Sequence, residues 1–139
     1  MRLRYLLDTN ILSEPLSKSP DKKVLRILNE HANESATAAP VIHELRYGSK
    51  LLQPSRRRAD VERYIDEVVL RVYPVLAYDQ AAAEWHAEER ARLHKAGKPP
   101  PHFDGLIAAI AKVNRLVLVT ANVKDFRAFK DLAVENWKA

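Results

Sequence analysis

Short apolar runs that alternate with longer helical segments constrain the fold of this chain more than any other feature. The runs are three to five residues long, which is too short for a helix and typical of buried strands. Repeated alternation of strands and helices predicts an α/β fold with a central, mostly parallel sheet and helices on both faces. The predicted strands are Tyr5–Leu7, Ser35–Ala38, 72–76, 116–119 and 132–134.

The segments between these strands have apolar spacings and end residues that are typical of helices. Pro40 suits the first position of a helix, and Asp79 suits an N-terminal cap. The proline-rich loop 97–101 precedes a helix that is apolar on nearly all sides, which indicates a buried helix. Helices are predicted after Asn10, after Asp21, and over 40–52, 55–69, 80–95, 102–114 and 123–129.

Composition limits the remaining classes of function. The chain fits one domain, 1–139, and its net charge of +5 favours either a polyanionic partner such as nucleic acid or an ordinary basic surface. The absence of cysteine excludes disulfides, thiolate metal sites and a cysteine nucleophile. The sequence has no secretory signal and no apolar run of membrane-spanning length, so we expect a cytoplasmic protein with no membrane partner.

Polar residues follow the first predicted strand at once. Asp8, Thr9 and Asn10 come directly after Tyr5–Leu7. Ligands of an open parallel sheet bind outside the carboxyl ends of its strands, so Asp8 is a candidate site residue. The alternative is that one of the three residues only caps a short helix. This stretch alone is compatible with both interpretations.

Three further acids lie at similar junctions between apolar and polar sequence. Glu44 lies on an otherwise apolar helical face, Asp104 begins the most apolar helix, and Asp125 follows the strongest predicted strand. Four carboxylates that met without a counter-charge would raise one another's pKa values. A hard divalent cation removes this conflict, and Mg²⁺ or Mn²⁺ prefers carboxylate and water oxygens.

Each acid also has a purely structural interpretation. A negative charge at Asp104 is favourable at a helix N-terminus. Glu44 is compatible with a solvated position beside Arg46, and Asp125 with a surface position. Other chemistries have less support, because the five histidines lack the spacing of a metal site and no Gly-x-Ser-x-Gly nucleophile motif is present.

Four stretches of the sequence resemble, in order, the motifs of the PIN-domain family of metal-dependent ribonucleases, in particular its VapC-type toxins. The stretches are 7–13, 44–48, 104–109 and 120–126. Asn136 and Trp137 are similar to the usual C-terminal ending of the family. The resemblance extends over the chain from end to end, and it implies a three-layer α/β/α fold with the acids at the carboxyl edge of the sheet.

The resemblance also assigns roles to individual residues. Asp8, Glu44, Asp104 and Asp125 are expected to form the catalytic acidic cluster. Asp8 and Asp104 are expected to be the principal ligands of Mg²⁺, with Mn²⁺ as the alternative. The residues expected to orient carboxylates and waters are Thr9, Asn10, Thr120 and Asn122. Asn122 stands where many relatives have an acid, which weakens the case for a second metal ion, whereas Gly105 replaces the more usual alanine and is expected to matter little.

The expected reaction is hydrolysis of an RNA phosphodiester by metal-activated water, leaving a 3′-hydroxyl and a 5′-phosphate. Arg46 and His102 are weaker candidates for contact with the RNA. The basic stretches 46–50, 56–58 and 95–98 are candidates for guiding its backbone, or alternatively are solvated helix ends.

The resemblance implies two protein partners. The first is a cognate VapB-type antitoxin, expected to lie in a groove between the helices around 24–28 and 41–52 and to place a basic side chain in the acidic pocket. The second is another copy of the chain, since family members commonly dimerise. Exposed apolar residues such as Trp85 are the candidates for the dimer contact.

Two other classes of function compete with this interpretation. Haloacid dehalogenase-like phosphatases also begin with an Asp at the end of a first strand, but they need a second Asp where this chain has Asn10. A non-catalytic RNA-binding module of PIN type would have lost its metal, and the presence of Asp8, Glu44 and Asp104 argues against that.

Overall fold

Five strands form a central parallel sheet in the computed structural model, which describes residues 2–138. The strands are β1 (Tyr5–Leu7), β2 (Ser35–Ala38), β3 (Val75–Leu76), β4 (Val117–Val119) and β5 (Val134–Glu135). Their order is β3-β2-β1-β4-β5, and all neighbouring pairs are parallel. Leu7 lies opposite Val119, so β1 and β4 end at the same level of the sheet.

Helices flank this sheet, as the α/β/α prediction requires. They are α1 (Thr9–Leu12), α2 (Lys22–Glu30), α3 (Ala39–Leu51), α4 (Arg56–Tyr64), α5 (Leu70–Val72), α6 (Gln80–Lys95), α7 (His102–Val113) and α8 (Val123–Phe126). Short 3₁₀ turns lie at Glu14–Leu16 and Ala32–Glu34. The helix predicted to be buried is α7, and its residues Ile107 to Ala111 are shielded from solvent as expected.

The strand predicted over 72–76 begins three residues later than expected. The preceding helix continues through a π-helical turn, Ile65–Val69, into α5. The helix ends before Tyr73, whose φ of −108° and ψ of 128° are extended. Tyr73 precedes Pro74, and the residue before a proline is disfavoured in helical geometry. The remaining strand, β3, lies at the edge of the sheet, the position expected for a strand that follows a proline.

Two further expectations concern exposure. Trp85 was expected to be an exposed contact residue, but it is half-buried and its ring lies 5.9 Å from that of Phe129. A tryptophan on the inner side of α6 packs against the core, which composition alone does not reveal.

In residues 2–138, no helix is both long enough and apolar enough to cross a membrane.

Candidate active site

Asp8 lies at the centre of the site because β1 pairs with β4. Its N–H donates to the carbonyl oxygen of Val119 (2.9 Å), which extends the pairing one residue beyond β1. Its Oδ1 accepts a hydrogen bond from the N–H of Thr9 (2.8 Å), the first residue of α1. The buried carboxylate therefore caps α1 and also lies at the carboxyl edge of the sheet, so both sequence-based interpretations apply to the same side chain.

The other carboxylate oxygen of Asp8 is held by the turn after β4. The Thr120 hydroxyl donates to Asp8 Oδ2 (2.8 Å) and accepts from Asn10 Nδ2 (3.3 Å). Asn10 Oδ1 in turn accepts from the N–H of Ala121 (2.9 Å). Asn122 is exposed, and its N–H donates to the Thr120 hydroxyl (3.1 Å). The start of α1 and the end of β4 together fix the orientation of the Asp8 carboxylate.

Glu44 reaches the same place from α3. The Thr9 hydroxyl donates to Glu44 Oε1 (3.0 Å). Partial burial raises the pKa of Glu44, the hydrogen bond from Thr9 opposes this, and the negative charge of Asp8 raises it further. Thr9 therefore contacts two carboxylates, through its N–H and its hydroxyl, and it links α3 to β1.

Asp104 and Asp125 complete the acidic cluster. Asp104 lies in the first turn of α7, where burial raises its pKa to about 6, assisted by the negative charges of Asp8, Asp125 and Glu44. Burial also raises the pKa of Asp8, against the opposing hydrogen bonds from Thr120 and Thr9. Asp125 is exposed in α8 and acts on Asp104 through its charge. The structure thus brings together the four acids that the sequence singled out.

The chemistry of this cluster is compatible with a hard divalent cation. Its donors are carboxylate oxygens, and within residues 2–138 no basic side chain forms an ion pair with any of the four acids. In the same part of the chain, no three acids or histidines are arranged as a complete metal site. Mg²⁺ is usually held by one or two carboxylates and keeps several waters, so a cluster without a complete set of protein ligands is compatible with it.

An open cavity of about 580 Å³ adjoins the acidic cluster between α1, α3 and α4. Thr9 and Glu44 line it together with Ser13, Ser49 and Lys138. Sequence analysis overlooked these last three. Helical spacing could have identified Ser13, which follows Asn10 by three residues, but not Ser49, which follows Glu44 by five. Lys138 gave no such signal, because its ion pair with Glu14 (3.1 Å) depends on the folding of the C-terminus.

The two weaker candidates for RNA contact lie outside the acidic cluster. The guanidinium of Arg46 pairs with Asp66 in the π-helical turn. His102 is exposed at the start of α7, and its ring lies 5.5 Å from that of His86. Of these two, only His102 lies on the helix that carries Asp104.

Gly105 was expected to matter little, but the structure shows that its lack of a side chain permits a close contact with His86. A β-carbon at this position would lie 2.9 Å from Cδ2 and 3.0 Å from Cε1 of His86 and would overlap with Nε2. The imidazole is buried, and its Nδ1 lies 3.0 Å from the hydroxyl of Tyr78. Motif spacing does not reveal this contact, because it is made by a ring from α6.

The sequence matches the PIN domain family over residues 5–132. It is 32% identical over 136 residues to the tRNA(fMet)-specific endonuclease VapC of Shigella flexneri, covering 97% of this chain and 98% of the relative. FitAcB from Neisseria gonorrhoeae has a TM-score of 0.87 at 31% identity, covering 95% of this chain and 96% of that chain. VapBC2 from Rickettsia felis, solved with a DNA fragment from its promoter, has a TM-score of 0.83 at 27% identity. The match covers 99% of this chain and 100% of that chain.

The order of the four motifs, the parallel sheet and the acids gathered at its carboxyl edge agree with these similarities. The chain belongs to the PIN-domain family and is similar over almost its whole length to VapC-type members.

Proposed function

We propose that this protein is a VapC-type toxin, a Mg²⁺-dependent endoribonuclease that a VapB-type antitoxin neutralises. The observation that carries the proposal is the acidic cluster of Asp8, Glu44, Asp104 and Asp125, in which the pKa of Asp104 is raised to about 6. A cluster of this kind favours binding of a divalent cation, since the cation offsets the repulsion. The VapC of Shigella flexneri is named as a tRNA(fMet)-specific endonuclease, which supports RNA as the substrate.

The residues of the acidic cluster and its hydrogen-bond partners would have separate roles in this reaction. Asp8 and Asp104 would hold Mg²⁺ or Mn²⁺, which when bound lowers the pKa of water and stabilises charge on a phosphodiester. Thr120 and Thr9 keep the Asp8 carboxylate in one orientation through their hydrogen bonds. Glu44 Oε1 accepts a hydrogen bond from the Thr9 hydroxyl, and Oε2 would accept the proton of the water that attacks phosphorus. The bond from phosphorus to the 3′-oxygen would break and the 3′-oxygen would take a proton from solvent, so the expected products carry a 3′-hydroxyl and a 5′-phosphate.

The antitoxin would bind along two grooves. The groove was expected between α2 and α3, and two grooves adjoin these helices. One is the cavity next to the acids, and the other, of about 310 Å³, lies between α2 and the α4–α5 segment and includes Leu25, Leu28, Tyr64, Val68 and Val72. An extended segment with apolar side chains for the second groove and a basic side chain for the acids would match both.

We also propose that the protein forms a homodimer. Exposed apolar side chains on α5 and β3, namely Leu70 and Val75, are available for the contact. Light scattering of the purified protein tests this, and a monomeric mass at all concentrations would exclude it.

RNA cleavage by the purified protein, freed of any partner, tests the main proposal. Total cellular RNA is incubated with Mg²⁺, with Mn²⁺ or with EDTA, and the new ends are mapped by sequencing. We expect metal-dependent cuts that disappear in Asp8→Asn, because this change removes a ligand charge and keeps the side-chain volume. Wild-type cleavage rates in Asp8→Asn would refute the proposal. RNA binding without any cuts would favour the non-catalytic module.

A further inference from the structure

A basic cleft lies between the C-terminal half of α6 and the proline loop that precedes α7. It has a volume of about 470 Å³. Its lining combines basic and apolar residues, and none of the described residues that form it is acidic. The basic residues are Arg90, His94, Lys95 and His102, and the apolar ones are Ala87, Ala91, Pro99 and Pro100.

Among the residues that the structure describes, two cations of this cleft form no ion pair, whereas several arginines of the other basic stretches have a partner. Arg46 pairs with Asp66, Arg57 donates to the carbonyl oxygen of Leu16, and Arg58 pairs with Glu62. Within the part of the chain that the structure describes, neither Arg90 nor Lys95 forms an ion pair. Their charges are therefore available to an anionic ligand.

The cleft is adjacent to the helix that carries one of the acids. His102 begins α7, two residues before Asp104. The ring of His102 lies 5.5 Å from that of His86, which packs against Gly105. Burial is the main cause that lowers the pKa of His86, and the charges of His102 and Arg90 lower it further. Both of these side chains therefore lie near the junction of α6 and α7.

We propose that this cleft is a binding subsite for single-stranded RNA, which holds the phosphates and an unstacked base next to the scissile bond. The proposal rests on the ribonuclease function proposed above. It assigns the positioning of the RNA to α6 and the proline loop.

The two kinds of lining residue, basic and apolar, match the two parts of a nucleotide. A guanidinium makes bidentate hydrogen bonds to a phosphate, and a lysine ammonium adds a point charge. The rings of His94 and His102 can stack on a base, while the proline and alanine side chains pack against base and ribose. Single strands are favoured over duplexes, because a paired base is not free to enter a cleft of this size.

The test measures binding of a 20-nucleotide single-stranded RNA of mixed sequence and of a matched hairpin by fluorescence anisotropy, over a range of salt concentrations. All variants are made in the Asp8→Asn background, so that the RNA stays intact. Arg90→Ala/Lys95→Ala is compared with Lys22→Ala/Lys23→Ala, which removes the same charge from the exposed face of α2. Arg90→Lys/Lys95→Arg keeps the charge of the cleft, and unfolding curves verify that each variant is folded.

We expect the cleft variant to bind the single strand about tenfold more weakly and its salt slope to fall by about 1.4, since each lost phosphate contact removes about 0.7. The control should change affinity less than twofold, and the charge-conserving variant should bind nearly as the parent does. His102→Ala should weaken binding, whereas His102→Phe, which retains a ring for stacking, should not.

Equal losses in the cleft variant and the α2 control, or equal affinity for the hairpin and the single strand, would overturn the subsite. Cleavage by proteins with an intact Asp8 distinguishes the two proposals. If the wild type cleaves RNA and the cleft variant cleaves and binds as well, only the subsite fails. If the wild type neither cleaves nor binds RNA, both fail.

Discussion

The imidazole of His86 occupies the space that a β-carbon at Gly105 would need. Gly105 follows Asp104 directly, so a ring on α6 determines how closely the first turn of α7 approaches its neighbour. The same ring lies 3.0 Å from the Tyr78 hydroxyl through Nδ1, and its Nε2 has no hydrogen-bond partner within residues 2–138. Position 105 is therefore restricted by packing, even though a methyl group is the smallest possible addition.

Gly105→Ala is expected to destabilise the protein by about 1–3 kcal/mol, the usual cost of adding volume to a packed interior. The free energy of unfolding from urea titration measures this. Gly48→Ala is the matched control, since a β-carbon there meets no atom within 4 Å and alanine favours a helix by about 0.5–1 kcal/mol. Equal changes of stability in both variants would show that overlap with His86 does not restrict position 105.

A double variant tests whether His86 is the cause. In Gly105→Ala/His86→Ala the methyl group enters space vacated by the ring, so the two changes should be non-additive. The double variant should lose less stability than the sum of the two single variants. Additive losses of stability would show that the alanine methyl group overlaps with a group other than His86.

The stability of the metal-free protein should depend on the ionisation of Asp104. The folded-state pKa is raised from 3.8 to about 6, so between these values the folded protein binds more protons than the unfolded chain. Stability from this group is therefore full below pH 4 and falls as pH rises to 6. Asp104→Asn removes the cost of ionising this buried carboxyl. The free energy of unfolding of the variant, relative to the wild type, should therefore increase between pH 4 and 6 and then remain level. Urea titrations in EDTA measure it, and an advantage that shrinks with pH would contradict it.

Thr120→Val is expected to lower both stability and activity. It removes the hydroxyl that donates to Oδ2 of the buried Asp8, and loss of this partner costs about 1–3 kcal/mol. Loss of a group that orients a metal ligand should reduce cleavage by about 10–100-fold.

Thr37→Val is its control, because the buried Thr37 hydroxyl donates to the carbonyl oxygen of Leu7 and not to a carboxylate. It should reduce stability while the rate of cleavage by the folded protein stays near that of the wild type. Equal loss of cleavage in both variants would mean that stability, and not the orientation of Asp8, limits activity.

Mg²⁺ should stabilise the folded protein by about 2.7 kcal/mol at a hundred times its dissociation constant, because the unfolded chain lacks the acidic cluster. Thermal unfolding with Mg²⁺ and after addition of EDTA measures the difference. Asp104→Asn should lose most of the stabilisation. Asp131→Asn should retain it, since Asp131 lies outside the cluster. Stabilisation that persists in Asp104→Asn would place the ion elsewhere.

The sequence predicted the sheet and the acidic cluster because both depend on local patterns. Short apolar runs identified the strands, and Asp8, Glu44 and Asp104 each interrupt an apolar element. The polar contacts around Asp8 follow from the parallel pairing, which brings Thr120 to the same edge as Asp8. These features need only the order of strands and their ends.

What the sequence did not predict depends on contacts between distant segments. The helix predicted over 55–69 contains a π-helical turn, Ile65–Val69, with Ile65 and Val69 buried, and it continues to Val72, where the strand was predicted to begin. The contact of His86 with Gly105 and the ion pair of Lys138 with Glu14 join separate elements. No periodicity or motif spacing carries information about such pairs.

The hydrogen bond between Thr120 and Asp8 joins residues 112 positions apart, and this separation has a consequence during synthesis. A nascent chain that has not yet delivered β4 lacks one of the two neighbouring strands of β1 and the hydroxyl that orients Asp8. Because so distant a pairing forms only after both segments have left the ribosome, we expect nuclease activity to arise only after β4 has been synthesised. Before that point, we expect the nascent chain not to cleave the messenger RNA that encodes it.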